Sequence, residues 1–144
     1  AEDDKEHICN AISELQKFVE DEEILKFVKR KAQLYTLFSV IFYLQRENVF
    51  VSDKHVQKLK NFVKLYSVFD NDMDMDVKLS DAEKMLYDML KKYKLASSEG
   101  LNKHTNRMIR FSVMKDFVCE MDTSMDAVQT KLYDKMLHYE KSEQ

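Results

Sequence analysis

The sequence predicts an all-α fold, a single compact bundle of about five to seven helices, on three observations. The chain has one glycine, Gly100, and no proline in 144 residues. It therefore lacks the residues that supply positive-φ corners and tight hairpins to β and doubly wound folds. Apolar residues recur at three- and four-residue spacing along most of its length. Serine-led helix starts stand ahead of several of these runs.

The first helix is predicted from about Asp3 to Val19, with an apolar stripe of Ile8, Ile12, Leu15, Phe18 and Val19 and acidic residues at its start that suit the helix dipole. After the acidic break Glu20–Glu23, apolar residues resume at Ile24, Leu25, Phe27 and Val28. They run through Lys29–Lys31 into Leu34–Leu44. That last segment is apolar on nearly every side and reads as the central helix of the bundle. A long strand is the rival reading, given Val40, Ile41 and the aromatics around them, but the helical surroundings and missing turn signals disfavour it.

Ser52 is the predicted N-cap of a third helix carrying Val56, Leu59, Phe62, Val63, Tyr66 and Phe69, with Lys54, Lys58, Lys60 and Lys64 on a solvated face. The acidic stretch Asp70–Asp76 connects it to Ser80-Asp-Ala-Glu83, a capping box ahead of Met85, Leu86, Met89, Leu90 and Tyr93. The Gly100 corner follows, ending the region from Ser80 to Lys94. Two more helices are predicted, one from about Thr105 to Met121 and one from Thr123 or Ser124 onward. Connections this short favour antiparallel neighbours.

Composition bounds the rest. A chain of this length forms one domain, here residues 1–144, and buries roughly 68% of its unfolded surface without staples. With 44% apolar and 34% charged residues it has the balance of a globular protein. A net charge of −3 gives no global field toward nucleic acid or anionic membrane, although a local basic face stays open. Cys9 and Cys119 have no metal or redox spacing, so two reduced, buried thiols are expected. The most apolar run falls well short of the roughly 20 residues that cross a bilayer, so no membrane and a cytoplasmic location are expected. The chain begins at Ala1 rather than methionine, as an excised domain or a processed product does.

The acidic connection resembles a calcium loop in spacing. Counting from Asp72, the carboxylates Asp72, Asp74 and Asp76 take the first, third and fifth positions and Glu83 the twelfth. The sixth position holds Val77, where the sharp turn wants glycine, and there is no second copy to pair with. The competing reading is an acidic linker followed by a capped helix. A basic stretch offers a second candidate: Arg107 and Arg110, three apart, project from one helical face, with Lys103 and His104 beside them. Such a cluster binds phosphate at a helix start, or pairs with carboxylates of this acidic chain, or touches a partner. The low isoelectric point disfavours a dedicated nucleic-acid binder.

No catalytic constellation is found. His7, His55, His104 and His138 are scattered, and there is no phosphate-binding glycine loop or nucleophile motif. Nine methionines lie mostly on core stripes and read as filling.

Two segments, Lys29–Ile41 and the group Tyr93, Ser97, Ser98, Gly100, Asn102, Arg107 and Arg110, resemble the helical C-terminal part of ParB-related GmrSD-type proteins. The resemblance spans roughly residues 10–121. It implies a helical module of a larger bacterial restriction or anti-phage protein, without that family's catalytic end. The sequence therefore leads to a non-catalytic interaction or accessory domain with no cofactor, meeting a protein partner or an adjacent domain. The candidate contact residues are Lys103, His104, Arg107 and Arg110. The alternatives are a single EF-hand-like calcium binder and a stand-alone helical adaptor.

Overall fold

The computed structural model describes residues 2–69, 78–98, 100 and 103–142, with side chains over 4–69, 78–98, 100 and 103–139. Seven α-helices run through these residues: α1 (Glu2–Val19), α2 (Glu22–Phe27), α3 (Lys31–Arg46), α4 (Asp53–Val68), α5 (Asp81–Ser98), α6 (His104–Lys115) and α7 (Ser124–Ser142). No strand occurs among the described residues. A π-helical turn, Asp116–Glu120, continues α6 and packs against α4. α3 lies against α1 and α6, α4 against α2 and α7, and α5 against α6 and α7, so the all-α bundle has one shared core.

Local chemistry sets most of the boundaries. Asp21 caps α2, accepting from the amides of Glu23 and Ile24 at 2.9 and 3.1 Å, and Lys60 of α4 reaches the same carboxylate at 3.2 Å. The run read as continuous from Ile24 to Leu44 is broken at 28–30, where Val28 closes α2 and Arg30 opens α3. α3 stops in a Schellman turn: Asn48 adopts φ 57°, its amide bonds Gln45 O at 3.0 Å, and the Val49 amide bonds Leu44 O at 2.9 Å. Asparagine here does what glycine does at many helix ends.

Two capping boxes start the next helices. Ser52 opens α4, with His55 Nδ1 accepting from the Ser52 amide at 3.0 Å in the place a glutamate takes more often. Burial and then the nearby Lys58 hold the His55 ring below its ordinary pKa, which keeps that acceptor nitrogen unprotonated. At α5 the Ser80 amide donates to Glu83 at 2.8 Å and the Glu83 amide donates to Ser80 Oγ at 3.2 Å. α5 runs on to Ser98, one turn past the predicted end.

The core is centred on Phe62, fully buried, whose ring lies 4.9 Å from Phe117 and 5.0 Å from Tyr93, with Phe27 and Tyr66 each 6.0 Å away. Three helices (α2, α4 and α5) and the π-helical turn thus meet on one aromatic knot. Several sequence-based burial assignments are corrected. Ile8 and Ile12 sit on the outer flank of α1's apolar stripe and are half exposed, as are Met85 and Met108. Cys9 is exposed on α1 rather than buried. Cys119 is partly buried, and burial, followed by the Glu120 charge, pushes its thiol up to about 11. α3 is not enclosed on every side either: Tyr35 is 63% exposed, and Lys31, Ser39 and Arg46 also face outward. Two of the helix α4 lysines are engaged rather than merely solvated, Lys60 with Asp21 and Lys64 over the Tyr133 ring at 5.3 Å. Among the described residues no helix is long and apolar enough to cross a membrane.

Candidate interaction face on helices α3 and α6

Gly100 adopts φ 58°, the left-handed conformation that strains any other residue here, and it turns the chain from α5 toward α6. The Lys103 amide and the Asn106 side-chain amide both donate to its carbonyl, at 2.9 and 3.0 Å. A Cβ on Gly100 would come within 2.9 Å of Lys103 Cδ and 3.2 Å of Asn106 Nδ2. This corner fixes where α6 begins and therefore which way its side chains point.

Arg107 and Arg110 part company. Arg110 turns inward and is 3% exposed. Its Nη1 donates to Ala96 O at 2.6 Å and its Nε to Thr36 Oγ1 at 3.2 Å, tying α6 to α5 and to α3. Beside it, the Tyr93 hydroxyl donates to Gln33 Oε1, and Gln33 Nε2 reaches Ser97 Oγ at 3.5 Å. Burial raises the Tyr93 pKa far above its usual range, so the hydroxyl stays a donor. The two sequence segments discussed above thus meet in space, as a buried polar junction of three helices.

Arg107 instead faces out. It lines two adjoining depressions between α3 and α6, of about 300 and 400 Å3, which share Arg107 and Ser39. The first is walled by Lys31, Tyr35 and Thr36, with Arg110 in its floor. The second is walled by Phe42, Arg46, His104, Met108 and Phe111. Among the described residues no carboxylate lines either one. Lys31, Arg46 and Arg107 are exposed, and none of them takes part in an ion pair among the described residues. Lys103, the N-cap of α6, is exposed at the end of the same corner, with its stem against Gly100.

Of the four predicted contact residues, Lys103, His104 and Arg107 therefore stay on the surface, while Arg110 belongs to the interior. The members missed from sequence are Lys31, Tyr35, Phe42, Arg46 and Met108. Their signal was present: residues 31, 35, 39, 42 and 46 follow helical spacing, and the cations bracketing an otherwise apolar helix mark a stripe that faces water.

The acidic candidate fares differently. Asp72, Asp74 and Asp76 lie outside the described residues. Glu83 is 2% exposed, and its carboxylate accepts from the Ser80 amide and from Lys135. Among the described residues no group of three or more His, Cys, Asp or Glu side chains is placed to hold a metal ion. Comparison with family models, curated proteins and solved structures finds no match for this chain.

Proposed function

We propose that the protein is a non-catalytic helical interaction module whose working surface is the furrow between α3 and α6, and that it meets a protein partner or an adjacent domain there. One observation carries the reading. Lys31, Arg107 and Arg46 stand exposed along the furrow, with no lining carboxylate among the described residues, beside the exposed Tyr35 and Met108. A net-negative chain has ample carboxylates with which to neutralise three cations. Three cations without an ion-pair partner among the described residues, beside Tyr35 and Met108, have the anatomy of a contact surface, in which arginine, tyrosine and methionine are enriched. The GmrSD-type resemblance supports placing such a module within a larger cytoplasmic bacterial defence protein, as an accessory part that does no chemistry.

Photo-crosslinking tests this. A benzoylphenylalanine at position 35 is expected to give a discrete protein adduct in the native host, and Arg107→Glu is expected to abolish it. The same probe at Lys131, exposed on α7, should give none. Equal crosslinking at both positions, or none at either, would sink the reading.

A further inference from the structure

We infer that the occupant of the α3–α6 furrow is an acidic amphipathic helix of about four turns, with carboxylates on its docking face at roughly seven-residue intervals. This rests on the interaction reading above and specifies its partner chemistry.

The furrow sets both the length and the charge pattern. Lys31 and Arg46 bracket α3, and their fifteen-residue separation corresponds to about 22 Å of helix axis at 1.5 Å per residue. Arg107 stands across from Ser39, the residue midway between them, because those two alone line both depressions. Along the α3 axis the backbone positions of the three cations therefore step by about 11 Å, which is two turns of an α-helix. A helix laid along the furrow meets them with acidic side chains at positions i, i+7 and i+14. The intervening i+3, i+4, i+10 and i+11 positions then fall over Tyr35, Phe42 and Met108, which takes apolar residues. Carboxylates also suit the guanidinium groups, which receive them two-pronged.

A nucleic-acid strand is the weaker fit. Its phosphates repeat more closely than these cations do. Neutralising three of them also contributes little against the repulsion from a chain carrying net charge −3.

Fluorescence anisotropy decides between them. The probe is a labelled peptide of about fifteen residues, with Glu at positions 1, 8 and 15, Leu at 4, 5, 11 and 12, and Ala and Gln elsewhere. The controls are a scrambled peptide of the same composition and a single-stranded oligothymidylate of similar length. The patterned peptide is expected to bind at least about tenfold more tightly than either control. Arg107→Glu should weaken it by about tenfold or more, and Lys at peptide position 8 should restore binding to that variant. Arg107 is exposed, so an unchanged melting curve for the variant establishes that the fold is intact. Equal binding of the scrambled peptide, tighter binding of the oligonucleotide, or indifference to Arg107→Glu would each overturn the assignment. A position-35 crosslink that persists while the patterned peptide fails to bind rejects the helical partner and leaves the interaction reading standing. Loss of the crosslink itself rejects both.

Discussion

Replacing Arg110 and Arg107 one at a time separates an arginine that holds the fold from one that serves its surface. Arg110→Ala deletes a charge-assisted hydrogen bond to Ala96 O at 2.6 Å and a second bond to Thr36 Oγ1 at 3.2 Å, both buried. The first contributes about 2 kcal/mol and the second about 1 kcal/mol. The loss is therefore about 3 kcal/mol before any lost packing, a large share of the stability of a domain this size. At roughly 3–4 °C per kcal/mol, the melting midpoint should fall by about 10 °C. Arg107→Ala removes an exposed side chain that has no ion pair among the described residues and should stay within about 0.5 kcal/mol of wild type. Arg110→Lys keeps the charge but not the forked donor geometry, so it should fall between the two. Differential scanning calorimetry of the three variants reads this directly. If Arg110→Ala melts within about 2 °C of wild type, or Arg107→Ala melts as low as Arg110→Ala, the inward and outward assignments of the two side chains are wrong.

Three further predictions concern other parts of the bundle. Phe62→Ala should cost about 3–5 kcal/mol, since it empties the ring on which three helices and the π-helical turn converge; a loss below about 1 kcal/mol in chemical denaturation would show that the knot is not central. Gly100→Val should lower stability by about 2 kcal/mol, because a β-branched residue is forced to φ 58° and crowds Lys103, whereas Gly100→Asn should lower it less; identical midpoints for both variants would contradict this. Glu83 feels burial most strongly, which acts to raise its pKa, but the Lys135 ammonium and the Ser80 amide outweigh that and hold its carboxyl below the ordinary value of 4.5. Its contribution is thus complete above about pH 4.5 and is lost as the pH falls through the lowered native value. The stability gap between wild type and Glu83→Gln should be wide at pH 7 and narrow steadily as the pH falls below 4.5; a gap independent of pH would refute the ion-pair account.

The fold was legible because its signals are local. Missing glycine and proline, Ser52, and the Ser80–Glu83 box each act within a few residues, and each stands where the pattern placed it. The Asn48 stop was harder to see, since asparagine marks turns and caps of several kinds and only the two amide bonds behind it reveal a Schellman turn. The candidate site was half legible. Spacing of three put Arg107 and Arg110 near each other, but which of two flanking positions points inward depends on how α6 is rotated against α3 and α5. No one-dimensional pattern encodes that rotation. The apolar density of Leu34–Leu44 concealed the outward stripe of α3. The exposed positions of α3 are Lys31, Tyr35, Ser39 and Arg46, and of these only Tyr35 and Ser39 fall inside that run, so its apolar average hid them.

The three-helix junction around Arg110 also governs how this face meets anything at all. Arg110 reaches α5 and α3 at once, and Tyr93 and Gln33 join those two helices a turn away. Sliding α6 by one helical turn, about 5.4 Å, would strand both Arg110 donors inside the protein. The furrow walls consequently have a single permitted register, and a visitor finds them already in place. On the proposed reading, little ordering is left to do on this side of an encounter, and discrimination among partners would rest on whether the visitor itself can hold the complementary shape.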